Sequence, residues 1–478
     1  MNSKFLKNLI KGTVATTSGT IATMGFHFIS IYFLSRFLSQ TEFGYYALIF
    51  SISNLLNLLS NLGLEISIVK NIAEGSKLRE TVLRPTLIIK TLFTIFFLIL
   101  FLLLYKVYPT DGFEGLWNYN IYIVILFVLG SYRDLFYRIL QGLNLFKNYS
   151  LIQISTALLR VILIISSIYL GNFNFLLLLN FEVLIIAISL IFQFLNIPFR
   201  ELLRSKALFN EYLRLIKFSS PLYANNLITF TYDRIGVFII GMLMTASSVA
   251  IYDVSSKIPS ALQGILSSYV LIFFPNISTL FGLGDNENAE KLINKSISYI
   301  TLLLSLLILI ITLWNTELVT LFFSSKYIES AFPLIIMMFA LLLRNLSNIL
   351  GFAIVAAGYS KIPMKVNFVS VLVGVISTYL LVIEYNYTGA AFAVLIMNFI
   401  SFFQYAYYHN KLGLIKLNFS FSYTLLVTIA FIILIFFIGI ESLLIKILLF
   451  VLFIVLNHKP VIDFRKFFIY LKTAKSNS

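Results

Sequence analysis

Three arginines and a lysine, Arg160, Arg234, Arg344 and Lys257, lie inside apolar runs long enough to cross a lipid bilayer. A charge at the bilayer centre costs roughly 2.5–3.5 kcal/mol on insertion scales. Such residues therefore face a water-filled space or a bundle interior, and they mark candidate sites. Arginine grips phosphate through two parallel N–H···O contacts, and lysine meets it as a point charge. The set is chemistry for an anionic, phosphate-bearing substrate. Lys90 and Arg133 occupy the same runs, and the acids there are Asp134, Glu182, Asp233 and Asp253. Bases exceed acids, the reverse of what a cation exporter is expected to show.

The acids carry a second expectation. Glu182, Asp233 and Asp253 can orient the cations, or carry H⁺ or bind Na⁺ in a coupled cycle. Asp253 and Lys257 are four apart, so they share a helix face and can pair. Asp233 and Arg234 are adjacent and point about 100° apart around a helix, so each is expected to find its partner on another helix. Every one of these charges can instead serve only to pin helices together. That plainer role suits Arg133 with Asp134, and Lys90, best. Lys446, close to the start of a late run, is expected to snorkel toward the headgroups.

Composition narrows the class. The 478 residues are 59% hydrophobic and 12% charged, with mean hydropathy +0.94; a soluble chain carries about a quarter charged residues. The chain is expected to be an all-α integral membrane protein. It has no cysteine, which excludes disulfides, thiolate metal sites and thiol nucleophiles. Three histidines make a histidine metal centre improbable, and no cofactor is expected. Walker A, G-x-S-x-G and H-E-x-x-H patterns are absent, and the loops are too short for a catalytic domain. The expectation is a protein that is not an enzyme.

Apolar stretches of about 18 residues or more give about fourteen spans. The first runs over 13–35, the second over 43–64, the seventh over 219–244, the eighth over 247–273 and the tenth over 331–357. The last two are 422–440 and 442–458. Outside the spans, all Lys and Arg except Arg36, Lys106 and Lys326 fall on the N-terminal side. The positive-inside rule then places both termini in the cytoplasm, and this distribution explains most of the net charge of +15 without nucleic acid.

The chain also repeats itself. "FLSRFLSQTEFGYYALIFSI" around the second span matches "FIIGMLMTASSVAIYDVSSKI" around the eighth, at an offset of about 206 residues. Six spans per repeat is an even number, so the two halves share one orientation. The domains read as 1–198 (spans one to six), 199–218 (a basic connector), 219–410 (spans seven to twelve) and 411–478 (two extra spans and a basic tail). The connector is an amphipathic helix on the anionic leaflet or a plain tether.

"SRFLSQTEFGYYAL" (35–48) resembles the first-hairpin signature of polysaccharide biosynthesis exporters, which include the O-antigen flippases. Arg36, Leu38, Glu42, Phe43 and Gly44 match that signature, while Ser39 and Gln40 replace its Gly-Pro. "SSVAIYDVSSKI" (247–258), "FFSSKYIESAFPL" (322–334) and "YNYTGAAFA" (385–393) are similar to later segments of the family, in order.

The resemblance implies the multidrug/oligosaccharidyl-lipid/polysaccharide (MOP) exporter superfamily. Its fold has two six-helix lobes in a V around a central cavity, often with two added helices. It implies flipping of undecaprenyl-pyrophosphate-linked oligosaccharide, destined for O-antigen, capsule or exopolysaccharide, from the inner to the outer leaflet of the bacterial cytoplasmic membrane. The partners expected are that lipid-linked substrate, membrane lipids and a polysaccharide polymerase, with the protein itself a monomer. A peptidoglycan-precursor flippase, a multidrug cation antiporter and a membrane glycan polymerase are the alternatives.

Overall fold

The computed structural model describes residues 3–74, 76–107, 111–198, 209–414, 420–438 and 442–457, and every regular element among them is helical. Two compact units divide the chain, Met1–Ala250 and Ile251–Ser478.

The first unit begins with α1 (Ser3–Phe37), α2 (Gln40–Asn61), α3 (Leu64–Glu74) and α4 (Ser76–Val107). A 3-10 turn (Asp111–Tyr119) leads to α5 (Asn120–Gly142), α6 (Phe146–Tyr169), α7 (Phe175–Asn196) and α8 (Phe209–Leu243). Helix α1 lies on α6, α2 and α7 flank α5, and α8 packs on α2, α3 and α4. Leu64, Ile68, Ile72, Leu135, Ile139 and Leu140 form the heart of an apolar core at the α3–α5 crossing. On α4, by contrast, Leu92, Phe96, Ile99 and Leu103 are exposed. Their spacing of four, three and four makes one apolar stripe along the helix, as expected of a surface that meets lipid rather than water.

The motif stretch has a local physical reason. Ser39 caps α2: its Oγ accepts from the Glu42 N–H at 3.2 Å, and the Glu42 carboxylate accepts from the Ser39 N–H at 2.8 Å. That is a reciprocal capping box. Gln40 takes the first helical position, where proline is favoured in many helices, and its Oε1 accepts from the Ser247 hydroxyl at 3.0 Å. Gly44 packs directly on the backbone of Ala246, and a Cβ there would overlap the Ala246 carbonyl. The two stretches recognised as repeats of each other therefore meet.

The division between the units falls within α9 (Ala246–Gly282). The second unit continues with α10 (Asn286–Leu313), α11 (Asn315–Phe322), a 3-10 turn (Ser325–Ser330) and α12 (Ala331–Ala356). Then come α13 (Lys361–Leu412), α14 (Ser420–Ile438) and α15 (Leu443–Leu456). Helix α13 is two legs broken at Tyr385 (φ −118°, ψ 17°) and Asn386 (φ 53°, ψ −144°), at the start of the "YNYTGAAFA" stretch. A Cβ on Gly389 would overlap the Leu381 carbonyl, so the returning leg needs glycine there. Helices α10, α14 and α15 share an apolar cluster of Leu309, Leu313, Phe431, Ile435 and Phe453.

This is an all-α, multi-pass membrane protein. Among the described residues nine helical segments are long and apolar enough to span a bilayer, against the fourteen stretches read by hydropathy. Part of the difference is arithmetic, because α13 counts once although it has two legs. Part is charge, because α5 carries Arg133, Asp134 and Arg138. Helices α14 and α15 are apolar but shorter, or described over a shorter stretch. Residues 199–208 of the connector, the 439–441 turn and the basic tail from 458 lie outside the described residues. The rest of the connector, from Phe209, runs into the seventh span as one helix, α8.

Candidate functional site

In the first unit the site is built around Arg160 of α6. Its guanidinium forms an ion pair with Glu182 of α7 and also bonds the Tyr46 hydroxyl of α2. Tyr46 in turn donates to Glu182 Oε1 at 2.9 Å. Arg160 Nη1 lies 3.0 Å from His27 Nδ1 on α1. Arginine can only donate, so Nδ1 accepts and the imidazole proton sits on Nε2. Both charged side chains are largely buried, with relative exposures of 13% and 6%. One cation thus binds four helices into a common polar node. Arg160 Nε is buried without a partner, a spare donor in an otherwise saturated cluster.

A second cluster joins α2, α4 and α5. Arg133 Nη2 pairs with the neighbouring Asp134 at 2.9 Å, and Asp134 Oδ2 accepts from Asn57 Nδ2 at 2.7 Å. Lys90, fully buried, donates to Asn57 Oδ1 and Ser60 Oγ, each at 3.2 Å. Further along, Arg138 Nε donates to Glu65 Oε2 at 3.2 Å.

In the second unit, Asp253 and Lys257 form the pair their spacing allows, at 2.6 Å along one face of α9. Asp253 is buried, Lys257 and Arg344 half-buried. Beside Arg344 on α12, Asn345 Nδ2 donates to Gln263 Oε1 at 3.0 Å. Of the adjacent pair on α8, Asp233 is exposed and Arg234 half-buried. Lys446 departs from expectation: it is buried and forms an ion pair with Glu317 of α11 instead of extending freely toward the headgroups. A carboxylate within reach, in a helix the sequence places far away, holds it there.

Within each unit, then, the structure brings together Arg160 with Glu182 and Asp253 with Lys257. His27 and Tyr46 were not singled out from the sequence. Among the described residues no group of three or more His, Asp or Glu side chains could hold a metal ion.

Residues 9–281 match the family described as Polysaccharide biosynthesis protein. The chain belongs to that family. Over 422 residues it is 22% identical to the "Probable low-salt glycan biosynthesis flippase Agl15" of Haloferax volcanii, with 86% of either chain covered. Its fold is similar to that of the lipid II flippase MurJ in an inward closed conformation. There the TM-score is 0.66 at 13% identity, covering 96% of this chain and all of that one. An inward-facing multidrug resistance MATE family transporter of the MOP superfamily gives a TM-score of 0.58 at 14% identity, covering 82% of this chain and 95% of the other. The polysaccharide biosynthesis family and the MOP fold read from the motifs are both found. In the family member described here, the motif glutamate Glu42 and glycine Gly44 serve the capping box and the close helix approach.

Proposed function

We propose that this protein flips an undecaprenyl-pyrophosphate-linked oligosaccharide, a repeat unit of O-antigen, capsule or exopolysaccharide, from the inner to the outer leaflet of the bacterial cytoplasmic membrane. Both termini face the cytoplasm, and the protein works as a monomer that hands its cargo to a polysaccharide polymerase. It catalyses no covalent step and transports by alternating access.

The observation that carries this reading is the charge balance within a member of a polysaccharide biosynthesis family. Lys90, Arg133, Arg160, Arg234, Lys257 and Arg344 face only Asp134, Glu182, Asp233 and Asp253 in the spans. Arg160, Arg234, Lys257 and Arg344 contact the pyrophosphate or acidic sugars. Glu182 and Asp253, which hold Arg160 and Lys257 in the structure, are the counter-ions a phosphate replaces. Such exchange keeps each buried cation compensated throughout the cycle, which matters because an uncompensated buried charge is far costlier than a paired one.

Lipids extracted from a deletion strain test the proposal. Accumulation of one completed lipid-linked repeat unit, with surface polysaccharide lost, is the expected result. Accumulated peptidoglycan precursor would instead assign the cargo to the cell-wall pathway. Unchanged lipid-linked glycans with drug hypersensitivity would overturn the reading in favour of multidrug export.

A further inference from the structure

Lys90 stands apart from the other buried cations. Arg133, Arg160, Lys257 and Lys446 each face a carboxylate. Lys90 is completely buried and faces two neutral oxygens, Asn57 Oδ1 and Ser60 Oγ. An ammonium has three donors, and its burial without an ion-pair partner is unfavourable even after relaxation.

The surroundings do not supply the missing charge. The carboxylates that act on Lys90 are Glu65 of α3 and Asp134 of α5. Asp134 is already held by Arg133 and reaches Lys90 only through Asn57. Glu65 is bonded by Arg138, and burial, then the nearby Asp134, pushes its carboxyl above the ordinary range. Helix α2 offers Lys90 only neutral partners. Helix α8, which also packs on α4, carries Lys217, Asp233 and Arg234. With Arg133 and Arg138 matched to the two acids, the Lys90 proton is the surplus charge of the cluster.

The residue type fits a group that changes charge. Arginine stays protonated in proteins, whereas a buried lysine can lose its proton. The hydroxyls beside Lys90 suit either state. Ser60 donates to the Asn57 carbonyl at 2.9 Å and lies 3.3 Å from Ser131 Oγ. It accepts from the ammonium now, and by rotating its O–H it can donate to a neutral amine.

We infer that Lys90 is a proton-exchange site whose loading and unloading couples the flipping cycle to a proton gradient. The ammonium releases H⁺ to water and becomes a neutral amine, and rebinding reverses the step. The signal runs through Asn57 to Asp134 and Arg133. The coupling half of this inference rests on the flippase reading; the proton site does not.

Two measurements test it, each on the full-length protein and on Lys90→Met and Lys90→Gln, the second of which keeps a hydrogen-bonding side chain. Weakly buffered purified samples are titrated between about pH 6 and about pH 9, a range an ordinary lysine does not enter. The wild type is expected to release about one proton per molecule more than either variant, and superimposable curves overturn the site. Flipping of lipid-linked oligosaccharide is then followed in vesicles with and without an imposed pH gradient. Both variants are expected to flip at one rate regardless of the gradient that accelerates the wild type. A variant that keeps the wild-type gradient response, or a wild type that has none, overturns the coupling. A wild type that does not move this lipid at all sinks the flippase reading, and the titration still decides the proton site.

Discussion

Arg160 in the first unit and Lys257 in the second are both buried cations with a carboxylate partner, yet they are held in different ways. Arg160 reaches Glu182 on another helix and shares it with Tyr46 on a third, with His27 on a fourth. Lys257 meets Asp253 one turn away on its own helix. The first arrangement ties the positions of helices to the state of one charge. The second pairs two charges on one helix, so this ion pair does not by itself tie one helix to another. If phosphate takes the place of the carboxylate in both, the first exchange breaks an ion pair between helices and the second breaks one within a helix, so the first unit is the one whose packing is expected to report occupancy.

The contrast can be broken most forcefully at Glu182. Glu182→Gln leaves Arg160 buried without a counter-charge and is expected to destabilise the protein by about 3–5 kcal/mol. Thermal unfolding in detergent would show it, and adding Arg160→Gln should recover much of the loss, since the two residues are coupled. Asp253→Asn is expected to cost less, about 1–2 kcal/mol, because Lys257 is half-exposed and its ion pair with Asp253 lies within one helix. Equal losses at the two positions would erase the distinction. Tyr46→Phe removes one interhelical hydroxyl and should cost about 1 kcal/mol, with a slowed flipping rate if the node responds to substrate. Lys446→Met sharpens the lower end. Its partner Glu317 is half-exposed, so the change in stability should stay within about 1 kcal/mol and flipping should not change.

The sequence showed those parts of this arrangement that depend on local spacing. The helical class follows from the apolar pattern, and the Asp253–Lys257 pair from the spacing along one segment. The Ser39-to-Glu42 spacing likewise sits within a single turn. The node at Arg160 could not be read this way, because Tyr46 and His27 are 114 and 133 residues distant, and an aromatic or a histidine in an apolar helix looks like core. From its sequence setting alone Lys90 suits a plain helix-pinning role. Its isolation from carboxylates appears only when the α2, α4 and α5 side chains are seen together. The partner of Lys446 is out of view for the same reason, 129 residues away, and snorkelling is the default for a lysine whose partner is not in view.

The most direct test of the account is a leaflet-access assay on the purified protein in vesicles, using a lipid-linked oligosaccharide and a glycan-cleaving enzyme outside. With the wild type, cleavage should proceed beyond the outer-leaflet pool to near completion, and with Arg160→Gln or Arg344→Gln it should stop at that pool. Cleavage confined to the outer leaflet with the wild type, in vesicles shown to contain folded protein, would contradict the claim that this chain moves such a lipid.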